Sequence, residues 1–191
     1  MQPSLLHRIQ FDNDEAAFRQ FYTDNVFRLF QFAFTFVENR EQSEEIVNDV
    51  FLKLWQNRSR INQIDNISVY LYVAVKNTAA NYLRQQKGKD RVDMENHVVH
   101  HFYLSPDPEE LLITDELRKR IAASIDGLPA RCKLIFKLVK EDGLSASEVA
   151  DILDISYKTV TTQLSIALKK LSAALLPSMP KNFSDSFKKN G

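Results

Sequence analysis

The sequence predicts an all-α protein: two small helical domains joined by a flexible linker. Three observations lead there. Only four of the 191 residues are glycine, which favours helices over a turn-rich sheet. Apolar residues recur at helical spacing in segment after segment, with no strong strand pattern and no internal repeat. Midway, the run SPDPEE brings Pro106 and Pro108, which forbid a continuous helix.

The first domain is read as residues 1–87, with helices at 14–37, 41–57 and 68–86. Arg58 to Asn66 form a polar connection. The phenylalanines at 27, 30, 32, 34 and 36 are assigned to core and helix–helix packing. Residues 88–109 carry Gly88, mixed charge and three histidines, and read as the linker.

The second domain is read as residues 110–176, with helices at 110–126, 129–141, 145–153 and 156–175. Pro129 suits the first turn of its helix and Gly143 the end of one. Ser145 and Glu148 have capping-box spacing, so a helix should start at Ser145. Asp154, Ile155 and Ser156 then break the chain, and Ser156 caps the last helix. A helix, a tight break and a second helix at this spacing read as a helix-turn-helix. Val160, Leu164, Ala167, Leu168 and Leu171 supply the apolar stripe of the second helix. Pro177 and Pro180 stop that helix, and residues 177–191 form a polar tail.

Net charge is zero, with 25 basic and 25 acidic residues. Binding to nucleic acid therefore has to come from local segregation of charge. Residues 38–49 carry five acids and one base, 76–91 carry five bases and one acid, and 156–171 carry three lysines and no acid. The single cysteine, Cys132, excludes an internal disulfide and reads as a buried structural thiol in a reducing compartment. The N-terminal stretch has no apolar core of signal-peptide length, and the run Val26 to Val37 is too short to span a bilayer. A cytoplasmic protein without membrane insertion is expected. His97, His100 and His101 lie in the linker with no cysteine nearby and read as solvated, so no metal or other cofactor is expected. No phosphate loop, nucleophile elbow or catalytic carboxylate pair is present, and no enzymatic activity is expected.

Three surfaces carry chemistry. On the helix at 41–57, Ile46, Val47, Val50, Phe51 and Leu54 make one core face. Glu45, Asn48, Asp49 and Leu52 fall opposite it. A leucine among acids suits docking on a basic helical partner, although lone exposed leucines are common on any surface. On the helix at 68–86, Tyr70, Asn77, Asn81 and Arg84 share one narrow stripe. Lys87, Lys89 and Arg91 extend its positive charge. A ring that stacks, amides that read base edges and a guanidinium that holds phosphate fit single-stranded DNA. A polar face whose basic end complements the helix dipole is the plainer alternative. On the last helix, Lys158, Thr159, Thr162, Ser165 and Lys169 lie opposite the apolar stripe, suited to phosphates and base edges of a duplex. Ile166 stands exposed on this face, against a sugar, a thymine methyl or another protein.

These surfaces, in this order, resemble the extracytoplasmic-function (ECF) group of bacterial sigma factors. EEIVNDVFLKLW (Glu44 to Trp55) is similar to the family's clamp-binding motif. SVYLYVAVKNTAANYLR (Ser68 to Arg84) is similar to its promoter-melting helix. LPARCKLIFKLVKEDGLSASEVADILDISYKTV (Leu128 to Val160) is similar to its C-terminal helix-turn-helix entry. The resemblance implies a sigma-2-like domain over 1–87 and a sigma-4-like domain over 110–176. It implies that Glu45, Asn48, Asp49 and Leu52 meet the beta-prime clamp helices of core RNA polymerase, with the beta flap as a further contact. It implies that Tyr70, Asn77, Asn81 and Arg84 engage the opened minus-ten strand, and that the loop Asn62 to Asn66 pockets a flipped base. It places Lys158, Thr159, Thr162, Ser165 and Lys169 at the minus-thirty-five element, and an anti-sigma factor as regulator. Tyr70 stands where relatives often carry tryptophan, and Asp154 where a glycine is common. From the residues alone, a stand-alone helix-turn-helix regulator binding operator duplex is the alternative. It would leave the Tyr70–Arg84 stripe and the Leu52 face without a task.

Overall fold

The computed structural model describes residues 4–87 and 115–175, and all the regular structure among them is helical. The linker, its three histidines and the polar tail lie outside the described residues. The chain divides into two compact units.

The first unit holds α1 (Leu5–Phe11), α2 (Glu15–Val37), α3 (Arg40–Gln56), a 3-10 helix (Arg58–Gln63) and α4 (Ile67–Lys87). Side-chain caps punctuate it, each satisfying a backbone N–H that the first turn would leave bare. Asp14 accepts from Ala17 N at 2.9 Å, Asn39 from Gln42 N at 3.1 Å and Asn66 from Val69 N at 3.1 Å. Helices α2, α3 and α4 pack mutually around Leu29, Phe32, Val47, Val50, Phe51, Leu71, Tyr72 and Val75. The Phe51 ring sits 4.8 Å from Tyr22 and edge-on to Phe18 and Phe21, and Tyr72 meets Phe32 at 5.0 Å. Buried Asn25, Thr35 and Ser43 each bond a carbonyl of their own helix or its cap, so their burial leaves no polar group unsatisfied.

Three expectations for this unit are corrected. Residues 5–11, to which periodicity assigns no helix, form α1. Seven residues are too few to show a period or to hold a helix alone. Ile9 is fully buried, and α1 packs on α2 and on the 3-10 helix. The connection 58–66 is not wholly polar, because the 3-10 helix turns Ile61 into the core. Phe27 is 51% exposed on the outer side of α2 rather than packed, and Phe30 and Phe34 are only half-buried.

The second unit holds α5 (Asp115–Asp126), α6 (Ala130–Lys140), α8 (Tyr157–Leu175) and most of α7 (Ala146–Leu153). Ile125, Leu128, Cys132, Ala167 and Leu171 form its core where α5 and α6 meet α8. Pro129 caps α6 rather than entering its first turn. Two α6 lysines are buried: Lys133 Nζ reaches the Asp126 carboxylate at 2.5 Å, and Lys137 reaches Glu141 at 3.3 Å. Cys132 is buried, its Sγ donating to Gln163 Oε1 at 2.6 Å, and burial pushes the thiol pKa up. Leu168, expected in the apolar stripe of α8, is 42% exposed, because the buried side of that helix centres on Val160, Ala167 and Leu171. Among the described residues no helix is long and apolar enough to cross a membrane, and no cluster suits a metal ion.

The first unit carries its own acid sensitivity. Arg8 Nη2 and Nε reach Asp14 Oδ2 at 2.6 and 2.9 Å. The Ala17 N–H and then the Arg8 guanidinium hold the Asp14 carboxyl below the ordinary carboxylate range. A lowered folded pKa contributes stability above the unfolded value of 3.8, lost as pH falls through the folded value. Asp14→Asn is therefore expected to melt below the native chain at pH 7. The gap should close as pH drops under about 4, read by thermal unfolding followed by circular dichroism.

Candidate nucleic-acid and partner interfaces

Each expected surface lies on a helix whose opposite side is locked into a core. On α3, Ile46, Val47, Val50, Phe51 and Leu54 are buried, while Glu45, Asn48, Asp49 and Leu52 are exposed. Leu52, at 53% exposure, leaves an apolar side chain in water about one helical turn beyond Asp49. Arg40 pairs with Glu44 at 2.9 Å at the start of the helix, where both are in solvent. The face also takes a residue that the sequence did not point to: the Tyr22 hydroxyl of α2 donates to Asn48 Oδ1 at 2.9 Å. Beside Tyr22, the side chains of Glu15, Phe18, Arg19 and Trp55 line an open cleft of about 340 Å³, and Arg58 lies 4.4 Å over the Trp55 ring. Only the packing of α2 on α3 brings these groups together.

On α4, Leu71, Tyr72, Val75, Ala79 and Leu83 are buried, and Tyr70, Asn77, Asn81 and Arg84 are all exposed. They run along one side of the helix for almost four turns. Asn62 is exposed on a different element, the 3-10 helix, and Asn66 is occupied in part as the cap of α4. Lys87 ends α4, and Lys89 and Arg91 lie outside the described residues.

The α7–α8 pair has the tight turn of a helix-turn-helix. The capping box closes in both directions: Glu148 N donates to Ser145 Oγ at 3.2 Å, and Ser145 N to Glu148 Oε2 at 2.7 Å. Asp154 takes the left-handed φ of +57° that lets the chain reverse, and Ile155 N then bonds Ala150 O at 3.0 Å. Ser156 Oγ caps α8 by accepting from Thr159 N at 3.0 Å. Lys158, Thr162, Ser165 and Lys169 are exposed opposite the buried side of α8. Thr159 is half-buried and its hydroxyl lies 2.8 Å from Ser156 Oγ, so it belongs to the cap as much as to the outer face.

The first unit and the second match different parts of one known family. Residues 21–89 match the model of sigma-70 region 2, and residues 118–171 that of sigma-70, region 4. The ECF RNA polymerase sigma-E factor of Escherichia coli (strain K12) is 26% identical over 140 residues, 70% of this chain and 73% of that protein. The RNA polymerase sigma factor SigV of Bacillus subtilis (strain 168) is 29% identical over 153 residues, 80% of this chain and 87% of that protein. The chain is an ECF sigma factor. Among solved structures, the sigma factor RpoE in complex with the anti-sigma factor NepR from Bartonella quintana shares the fold. Its TM-score is 0.54 at 18% identity, over 85% of this chain and 98% of that one. CnrH in complex with the cytosolic domain of CnrY gives a TM-score of 0.52 at 19% identity, over 92% and 97%. A sigma factor directs RNA polymerase to promoters, and a stand-alone operator-binding protein would have no need of the region 2 match in the first unit.

The turn at Asp154 gives a direct test of how this sigma factor sets the direction of α8. Asp154→Gly removes the Cβ conflict of the left-handed backbone and is expected to keep or raise the melting temperature. Asp154→Val is expected to cost about 1–2 kcal/mol, read by urea unfolding.

Proposed function

We propose that three helices divide the work of this sigma factor. The α3 face of Glu45, Asn48, Asp49 and Leu52 docks on the clamp helices of the polymerase beta-prime subunit, where acids and a central leucine meet basic and apolar side chains. The α4 stripe takes the opened minus-ten strand: Tyr70 stacks on a base, Asn77 and Asn81 read base edges, and Arg84 holds phosphate. The segment Asn62 to Asn66 pockets a flipped base. The α8 face of Lys158, Thr159, Thr162, Ser165 and Lys169 enters the major groove at the minus-thirty-five element. Residues 1–87 and 110–176 act as the two promoter-binding domains, with 88–109 as the connection between them. The chain performs no covalent chemistry. Strand opening is driven by the capture of unstacked bases, each worth roughly 1–3 kcal/mol. It works in the cytoplasm, where the polymerase is. An anti-sigma factor that covers Leu52 or the DNA faces is its expected regulator, a reading supported by the relative RpoE being bound to NepR.

The observation that carries this proposal is the exposure of Leu52, Tyr70, Asn77, Asn81, Arg84, Lys158 and Lys169 on the outer faces of helices anchored through their inner faces. Promoter-specific transcription in vitro by purified core polymerase is expected to require the chain. Leu52→Asp should cost about 2 kcal/mol or more of core affinity with the melting temperature unchanged, since a central apolar anchor becomes a desolvated charge. Unchanged core affinity would remove the clamp assignment. Lys158→Ala and Arg84→Ala should weaken promoter binding by holoenzyme and lower its salt dependence by about one ion each, while core affinity holds. An equal fall in core affinity would show that these faces do not meet DNA.

A further inference from the structure

The outer face of α8 has an unusual set of readers. Residues 157–175 contain no arginine, asparagine, aspartate or glutamate. Their one amide, Gln163, is half-buried and accepts from the Cys132 thiol at 2.6 Å, on the side of α8 that faces α6. Two threonine hydroxyls are engaged locally: Thr159 with Ser156 at 2.8 Å, and Thr161 with the Lys158 carbonyl at 3.1 Å. Lysines apart, the helix therefore offers no free side chain that pairs bidentately with adenine or guanine in the major groove, and no acid to accept from cytosine. Lysine serves as a point charge on phosphate or guanine. Besides the exposed hydroxyls of Thr162 and Ser165, which bond more than one base, what remains is apolar. Ile166 is 37% exposed, one turn after Thr162 and less than one turn before Lys169, at the edge of the polar face. Thymine's 5-methyl is the one apolar feature that the major groove presents.

We infer that Ile166 is a specificity-determining residue that reads thymine in the upstream promoter element through its 5-methyl group, with the Thr162 methyl beside it. This rests on the proposed seating of the α8 face on duplex DNA. Lys158 and Lys169 anchor the helix on phosphates without choosing a sequence, and the choice is then made by burial of a methyl against a branched side chain. Removing one buried methyl should cost about fourfold in affinity.

The test uses holoenzyme reconstituted from the full chain and core RNA polymerase. Upstream elements are selected by it from a pool of duplexes randomised at that position. Thymines of the selected duplex are then replaced one at a time by deoxyuridine, which lacks only the methyl. Affinity is expected to fall about fourfold at one or more positions. Ile166→Ala should lose a similar factor on the thymine duplex and suffer no further loss on the deoxyuridine duplex. Indifference of the native holoenzyme to every replacement overturns the inference. So does an Ile166→Ala holoenzyme that stays as sensitive as the native one, or a loss of core affinity in that variant, which would make Ile166 a protein contact. Lys158→Ala and Lys169→Ala separate the two levels. If they leave promoter affinity unchanged, the seating of α8 on DNA fails. If they weaken it while deoxyuridine has no effect, only the methyl readout fails.

Discussion

The left-handed backbone at Asp154 is the constraint on which the α7–α8 pair of this sigma factor depends. It ends α7 and lets α8 leave after a turn of only three residues, Asp154 to Ser156. The conformation is disfavoured for any residue with a Cβ, less so for aspartate than for most. It persists because both neighbours are fixed. Ser145 and Glu148 close the start of α7, Ser156 closes the start of α8, and Val149, Ile152 and Val160 are fully buried on either side. The buried Lys133, reaching back to Asp126, ties α6 to the end of α5 and so steadies the surface on which α8 rests. Losing the Asp126 carboxylate would leave the buried Lys133 ammonium less well compensated, so the contact helps to hold α6 against α5.

The same division of labour recurs in the first unit. Each of α3 and α4 spends a wide apolar arc on the core and leaves a narrow outer face whose residues are not needed for folding. That separation lets a chain of zero net charge present acids on one helix face and a polar stripe ending in an arginine on another, without a global field of either sign. It also means that little affinity for DNA is expected from the free chain.

Much of this was legible in the sequence because long amphipathic helices announce themselves. The bounds of α2, α3, α4, α6, α7 and α8 fall within about two residues of those read from periodicity and capping signals. The capping box at Ser145 and the tolerance of aspartate for the turn were local chemistry, and local chemistry is what a sequence displays. The misses were tertiary. Helix α1 exists through Ile9 and the Arg8–Asp14 pair, which no seven-residue window displays. Phe27 and Leu168 are apolar residues that periodicity assigns inward but packing leaves outside, because a helical stripe is wider than the neighbour that covers it. The engagement of Gln163 by Cys132, and of Asn48 by Tyr22, joins residues that are 31 and 26 positions apart and leaves no trace in spacing.

The bond from Tyr22 to Asn48 has a consequence for association. A free asparagine on a helix surface samples several rotamers and surrenders them when a partner arrives, at a cost of roughly 0.5–1.5 kcal/mol for a rotamer-rich side chain. Asn48 has surrendered much of that freedom within the folded chain, and its amide N–H₂ is left to point at whatever docks there. On the proposed docking face, a partner helix would thus meet a donor that is already aimed. The entropy of aiming it was lost when the first unit folded, so recognition at this face is expected to show in the rate of dissociation more than in the rate of encounter.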